Sequence, residues 1–335
     1  MESSQSPPQP ATAATAAAAL TLETLTTIPP AQLSQAYFIL AASAVFLIAS
    51  ATPTEARKLL ADYGARKDGT QAPKDGSEEN RRRQSRFISL VATVTSWGQV
   101  PHSWFVAFYG LSLACSAFWL GQFLGRGSVL GYLASQQVRT GGSGSSSTLL
   151  QVAVVWVMMV LQAGRRIYEH AAVIRPSKST IWFVHWLLGL SFYLFVSVAT
   201  WVEGSRAILD ADDAPLFTPS SLFKISLATP IFCYAWINQY RCHAHLAGLK
   251  KYSLPQAGLF RRFVCPHYTC ECLLYFSLAL AGAPEGQLLN TTFLCAVLFV
   301  VVNLGVTAMG TRRWYADKFG QAAVAHKWNM IPFVF

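Results

Sequence analysis

The stretch Leu289–Met309, LNTTFLCAVLFVVVNLGVTAM, contains no charged side chain. A helix that crosses the hydrocarbon core of a bilayer needs about 20 mostly apolar residues, so this stretch predicts a transmembrane helix. Runs of the same character lie upstream of it, at Gln32–Ala51, Ser103–Leu124, Thr148–Ala163, Thr180–Val202, Ser221–Asn238 and Tyr268–Ala283. We therefore predict an all-α integral membrane protein with about seven transmembrane helices, and six is the alternative because two runs are short.

The composition of the whole chain supports a membrane protein. Of its 335 residues, 53% are hydrophobic and only 13% are charged, whereas a soluble domain has about 25% charged residues. The net charge of +10 would indicate nucleic acid in a soluble protein. In a membrane protein, Lys and Arg gather in the cytoplasmic loops. The sequence thus argues against a soluble enzyme and predicts no nucleic-acid partner.

The distribution of basic residues predicts the topology. With seven helices, 22 of the 26 Lys and Arg residues fall on one side of the membrane. Positive loops face the cytosol, so we place the N-terminus in the lumen and the C-terminus in the cytosol. Residues 1–30, rich in Ala, Thr, Ser and Pro, are predicted to be a disordered luminal tail. The membrane domain then spans 31–335, with 52–87 as a basic cytosolic linker.

Ionisable residues at the cytosolic ends of the predicted spans are candidates for function, because they are costly inside a membrane. His267 and Tyr268 precede Glu271 by four and three residues, which places all three on one helical face. A carboxylate that enters a membrane there needs a partner, and Arg241 or Arg312 would supply it.

Other polar features have simpler interpretations. We interpret Arg165 and Arg166 as side chains that reach the membrane interface. The group Cys265, His267, Cys270 and Cys272 has no matching second half, so no metal site is predicted. The sequon Asn290-Thr291-Thr292 lies against a predicted span, and we do not expect it to be glycosylated.

The C-terminal third resembles the steroid 5-alpha-reductase family, and most closely its polyprenol/polyprenal reductase branch. The motifs that carry the resemblance are Gln239-Tyr-Arg-Cys-His243, Leu249-Lys-Lys251, Gly258-Leu-Phe260, Phe263-Val264, Cys265-Pro-His-Tyr268 with Glu271, Trp314-Tyr315, Lys318-Phe319 and Ile331-Pro-Phe-Val-Phe335. Upstream, the segments Val100–Tyr109 and Arg165–Glu169 are similar to the same branch. The steroid enzymes have a Glu in the second span and a Tyr in the third, where this chain has Gln99 and Ala163. Tyr168 and Glu169 lie nearby and are candidates for the acid that is missing there.

The resemblance implies a membrane reductase that binds NADPH from the cytosolic side, with residues 238–335 as the NADPH-binding region. It further implies residence in the endoplasmic reticulum membrane and a role in dolichol synthesis for protein N-glycosylation. The cofactor-binding candidates that it implies are Gln239, Arg241, His243, Arg312 and Tyr315. Lys250, Lys251, Arg313 and Asn329 join them because they lie at the same predicted membrane face.

The chemistry of hydride transfer favours an aldehyde as the substrate. An isolated alkene cannot stabilise the negative charge that hydride brings, whereas a conjugated aldehyde moves that charge to its oxygen, where a hydrogen-bond donor stabilises it. We therefore expect reduction of the α-isoprene double bond of polyprenal, giving dolichal, so that a long-chain polyisoprenoid lipid is the partner. The candidate proton donors are Tyr268, Tyr168 and His267, with Glu271 orienting them.

Three other functions stay open on the sequence alone. One is a 3-oxo-steroid or enoyl reductase of the same fold. Another is a membrane methyltransferase of the isoprenylcysteine type, which binding of S-adenosylmethionine would reveal. The third is a receptor or transporter, against which the crowding of polar residues at one membrane face argues.

Overall fold

The computed structural model describes residues 26–52, 78–141, 144–175, 179–250 and 252–335, and it is mostly helical. Most of the predicted tail, 1–30, and most of the predicted linker, 52–87, lie outside the described residues. The helices are α1 Pro30–Ala51, α2 Glu78–Ser96, α3 Val106–Leu124, α4 Ser128–Gly141, α5 Leu149–Ala172, α6 Phe183–Val202, α7 Ser205–Leu209, α8 Pro219–Gly248, α9 Pro266–Ala281 and α10 Thr291–Phe319. The strands are β1 Gln99–Pro101 and β2 Thr180–Trp182.

Six helices in the described residues are long and apolar enough to cross a membrane, namely α1, α3 with its preceding 3-10 turn, α5, α6, α8 and α10. The multi-pass all-α architecture is therefore confirmed. The sixth predicted run, Tyr268–Ala283, forms α9, which has only 16 residues. It packs against α8 and α10, and its start lies near the end of α8 while its end lies near the start of α8. It therefore carries the chain from one end of the bundle to the other, although 16 residues are fewer than a full span needs.

Several helix starts at one end of the bundle are capped by side chains. Thr148 and Gln151 form a reciprocal capping box at the start of α5, and Thr218 and Ser221 form another at the start of α8. The N-cap of α10 is Asn290, whose side chain accepts a hydrogen bond from the Phe293 amide. These side chains satisfy N–H groups that a helix leaves unpaired at its first turn.

The opposite end of the bundle carries the small sheet and the C-terminal segment, which comprises residues 320–335 after α10. Strands β1 and β2 pair antiparallel, with Val100 opposite Ile181, and thereby join the region before α3 to the start of α6. The amides of Val264 and Cys265, just before α9, donate to the carbonyls of Trp328 and Asn329 at 2.8 and 3.0 Å. The end of the chain is thus fastened beside the start of α9, which builds the wall of the site described below.

Candidate functional site

Glu169 is the centre of a buried ionic cluster. Its side chain is fully buried near the end of α5 and contacts the guanidinium groups of Arg165 and Arg166 on the same helix. From α8, the Nδ1 atom of His243 lies 2.7 Å from Glu169 Oε2. A buried carboxylate needs such partners because it has lost its hydration. Since the carboxylate only accepts, we assign the Nδ1 proton to a donation from His243 to Glu169.

This arrangement corrects the interpretation of Arg165 and Arg166 as interfacial side chains. Arg165 is only 7% exposed, and its guanidinium lies 5.2 Å from the ring centre of Trp236. Arg166 reaches Tyr109 on α3, whose phenolic oxygen accepts from Nε at 3.0 Å. Both arginines point into the bundle because Glu169, on the same helix, supplies the countercharge. The clustering of polar residues at the end of the third predicted span was the available signal.

A second group of side chains joins this cluster to α9. Gln239 donates from Nε2 to Glu271 Oε2 and, at 3.3 Å, to the carbonyl of His267. Gln162 donates to Gln239 Oε1 at 3.0 Å, and Arg165 donates to Gln162 Oε1 at 2.7 Å. The expected partner of Glu271 was Arg241 or Arg312, but Gln239 makes the contact. Helices α5, α8 and α9 are therefore connected by one polar network within the bundle.

A cavity of about 210 Å³ lies next to this network. Its lining consists mainly of aromatic and apolar side chains, namely Leu246, Phe260, Val264, Cys265, His267, Tyr268, Thr311, Trp314 and Tyr315. The His267 ring lies 4.2 Å from the Tyr268 ring and 5.5 Å from the His243 ring, centre to centre. His267 thus connects the cavity to the ionic cluster around Glu169.

Two of the predicted residues, Arg312 on α10 and Asn329 in the C-terminal segment, meet beside the cavity. Arg312 donates from Nη1 to the Lys327 carbonyl at 2.5 Å and lies 3.5 Å from Asn329 Oδ1. Thr269, on the first turn of α9, donates to the Met330 carbonyl at 2.6 Å. Lys327 is itself buried, and this burial lowers the pKa of its ammonium group.

The remaining predicted residues lie at the surface. The side chains of Arg241, Lys250 and Arg313 are exposed, and Lys251 falls outside the described residues. Tyr168 is 55% exposed and points away from Glu169, its neighbour in the sequence. The structure therefore brings together Gln239, His243, His267, Tyr268, Glu271 and Tyr315, and it separates Tyr168 from them.

Three residues of the network, Tyr109, Gln162 and Arg165, were not among the candidates for the site, whereas Glu169 was a candidate for the missing acid. Tyr109 is the hardest of these to find, because one phenol in an apolar helix usually packs in the core. Gln99, by contrast, lies in β1, where its Oε1 accepts from Thr180 Oγ1 at 2.7 Å, and Ala163 is 1% exposed.

Comparison with known proteins bears on the same region. Residues 208–335, which hold α8, α9, α10 and the whole cavity, match the model of the 3-oxo-5-alpha-steroid 4-dehydrogenase family. This part of the chain is therefore similar to the steroid 5-alpha-reductase family. The resemblance inferred from the motifs around Gln239 and Glu271 is thereby confirmed.

The relatives that match over a longer stretch are named polyprenal reductases. The chain is 32% identical to the Xenopus tropicalis polyprenal reductase over 56% of its own length and 61% of that protein. It is 32% identical to the Saccharomyces cerevisiae polyprenal reductase, over 54% and 64% of the two chains. The Xenopus laevis polyprenal reductase is 27% identical, over 71% and 79%. These matches support the polyprenal reductase branch of the family, although two of them span less than two thirds of the relative.

Proposed function

We propose that this protein reduces the α-isoprene double bond of polyprenal with NADPH, giving dolichal on the route from polyprenol to dolichol. The observation that carries the proposal is the aromatic cavity beside the Gln239–Glu271 pair, inside the region that matches the reductase family. The names of the relatives favour polyprenal over a steroid as the acceptor. Dolichol then serves protein N-glycosylation, which suits residence in the endoplasmic reticulum membrane.

The residues around the cavity fit a nicotinamide dinucleotide. Trp314, Tyr315 and Phe260 offer flat apolar surfaces on which a heteroaromatic ring packs well. His245, beside Leu246, has a buried Nε2 atom with no hydrogen-bond partner among the described residues. Its ring lies 5.5 Å from that of Phe260, so a polar group of a ligand at this wall would give that nitrogen its missing bond.

Exposed basic side chains near the cavity would bind the phosphate groups of the cofactor. Arg241 and Lys250 lie at the end of α8 or just after it, and Arg313 lies next to the cavity-lining Trp314 on α10. Guanidinium groups bind phosphate oxygens in pairs, whereas an ammonium acts as a point charge. We therefore assign these three residues to the phosphates. Arg312 joins the C-terminal segment to α10, and the Asn329 carbonyl joins it to the residue before α9.

The protein would control the charge that develops on the substrate. A nicotinamide held at this cavity would supply hydride, which C3 of the conjugated aldehyde would accept. Tyr268 and His267 present a phenol and an imidazole at the cavity wall, which makes them candidate donors to the reacting aldehyde or to the cofactor amide. Glu271 acts through Gln239. It accepts a hydrogen bond from the side-chain amide of Gln239, which also donates to the His267 carbonyl, and so it holds both groups in place.

The proposed topology places this end of the bundle at the cytosolic face. The ends of α5 and α8 and the start of α9 carry the polar network, and most Lys and Arg residues lie on the same side. A water-soluble dinucleotide would thus enter from the cytosol, while the polyprenyl chain stays in the bilayer. This orientation keeps the N-terminus luminal and the C-terminus cytosolic.

Oxidation of NADPH by the purified protein tests the proposal. A short polyprenal, the matching polyprenol and a 3-oxo-4-ene steroid are offered in parallel. We expect turnover with the polyprenal and none with the polyprenol, because only the aldehyde has an alkene conjugated to a carbonyl. We expect no turnover with the steroid, because the relatives are named polyprenal reductases. Turnover with the steroid alone would replace polyprenal as the substrate. Binding of S-adenosylmethionine without binding of NADPH would overturn the reductase assignment.

A further inference from the structure

The phenol of Tyr109 is joined to the buried ionic cluster from a helix outside the family-matched region. Tyr109 lies in the first turn of α3, and Arg166 donates to its oxygen from Nε at 3.0 Å. The same guanidinium lies 5.0 Å from the centre of the Tyr109 ring. Through Nη1, Arg166 also contacts Glu169. The phenol therefore has a defined position relative to the network.

The direction of this hydrogen bond leaves the phenolic proton available. A guanidinium has only donors, so the Tyr109 oxygen must be the acceptor in its bond with Arg166. Its own O–H then points elsewhere. The neighbouring guanidinium places a positive charge beside the oxygen on which negative charge develops when that proton is given. Tyr168, in contrast, presents a phenol that is 55% exposed and outside the network.

The cluster connects this phenol with the cavity. From Tyr109 the path runs to Arg166 and then to His243 through the Glu169 carboxylate, which accepts from both side chains. The rings of His243 and His267 lie 5.5 Å apart, and His267 lines the cavity. A substrate that approaches the bound nicotinamide from the α3 side would therefore meet Tyr109 next to the same ionic cluster.

The surroundings of Tyr109 suit an isoprenoid. The rings of His102, Phe105 and Phe108 follow one another at 4.3 and 5.1 Å, centre to centre. Tyr193 continues the row, 6.2 Å from Phe108 and 5.7 Å from Tyr109. This row of rings runs from the 3-10 turn before α3 to the phenol, and it offers apolar, polarisable surface for a chain of alkene units.

We infer that Tyr109 is a catalytic residue of the proposed reaction, the acid that hydrogen-bonds to the aldehyde oxygen of the polyprenal. The inference rests on the proposed function and adds to it a residue outside the family-matched part of the chain. As hydride forms the new C3–H bond, the alkene electron pair moves towards the carbonyl and the oxygen takes the Tyr109 proton, giving an enol. The enol returns that proton to Tyr109 while C2 gains a proton from water.

Replacement Tyr109→Phe in the full-length protein, purified in detergent, tests the assignment. We expect kcat with a short polyprenal to fall about 100-fold, since loss of one donor to a developing oxyanion costs that much. The Kd for NADPH should stay within about twofold of the wild type because the ring is retained. The matched control is Tyr234→Phe, which removes a phenol from an exposed position on α8 and should leave kcat unchanged.

A purely anchoring role for Tyr109 gives a different result. In that case Tyr109→Phe weakens NADPH binding or lowers the melting temperature and leaves kcat intact, which overturns the catalytic assignment. Loss of the solvent deuterium isotope effect on kcat in Tyr109→Phe would support it, because proton donation from the phenol is then absent. Wild-type protein that fails to reduce polyprenal overturns the proposed function and this inference together, whereas equal activity of wild type and Tyr109→Phe overturns this inference alone.

Discussion

The Nδ1 atom of His243 lies 2.7 Å from the Oε2 atom of Glu169, although 74 residues separate them in the chain. The contact joins α5 to α8 at the end of the bundle where the cavity lies. Glu169 is fully buried, so its position depends on the two arginines and the histidine around it. The site is therefore organised by a carboxylate upstream of the segment that matches the reductase family.

Glu169→Gln should destabilise the protein markedly. The change leaves the guanidinium groups of Arg165 and Arg166 without their countercharge in a buried place, and removing one partner of a buried ion pair costs about 3–5 kcal/mol. Thermal unfolding in detergent measures the loss. The matched control is Asp212→Asn, which breaks the exposed pair with Arg126 and should change stability by less than about 1 kcal/mol. Equal effects of the two changes would contradict the structural role of Glu169.

Glu271→Gln should lower turnover while leaving insertion intact. The amide cannot hold Gln239 as an ionised acceptor does, so the network between α8 and α9 loses its fixed geometry. We expect kcat to fall at least 10-fold in the NADPH oxidation assay. Asp317→Asn alters an exposed carboxylate on α10 and serves as the comparison. Wild-type kcat in Glu271→Gln would remove this residue from the site.

Leu246→Trp should weaken cofactor binding. Leu246 lines the cavity of about 210 Å³, and an indole there occupies much of the space proposed for the dinucleotide. We expect the Kd for NADPH, measured by fluorescence titration, to rise at least 10-fold. The same replacement at Leu227, exposed on α8, is the control for adding a Trp to that helix. Unchanged affinity in Leu246→Trp would place the cofactor elsewhere.

The sequon at Asn290 should stay unglycosylated. Asn290 is 1% exposed, its Nδ2 donates to the Gly282 carbonyl at 2.8 Å, and its Oδ1 accepts from the Phe293 amide at 3.0 Å. Both ends of the side chain are thus engaged in the folded protein. Treatment with endoglycosidase should leave the electrophoretic mobility of the protein unchanged. A shift in mobility would contradict the prediction, because it would show that Asn290 is modified before folding engages its side chain.

A new sequon between α7 and α8 tests the topology. The double change Asp212→Asn with Ala214→Thr creates it in a segment where residue 212 is exposed. The proposed orientation places this loop in the lumen, so the variant should gain one glycan that endoglycosidase removes. An unmodified variant that still folds, as judged by NADPH binding, would reverse the orientation.

Local patterns were enough to predict the six helices that are long and apolar enough to cross a membrane, because the spacing of apolar runs and the length of a bilayer limit the alternatives. They did not predict the more polar helices α2 and α4. The motifs around Gln239 and Glu271 likewise indicated the resemblance to the reductase family. Tyr168 and Tyr109 show where this kind of reasoning ends. They are two tyrosines at ends of apolar segments, and the sequence does not indicate which of them faces the bundle.

The amino-acid sequence by itself determined that this is a multi-pass helical membrane protein, because apolar content and run length depend only on composition and order. It also indicated the resemblance to the reductase family, through motifs that lie close together in the chain. Only the tertiary structure decided that Glu169 pairs with His243, that Gln239 and not an arginine holds Glu271, and that Tyr109 meets Arg166. Those contacts join residues on different helices, and the rotation of each helix about its axis is set by packing of the whole bundle.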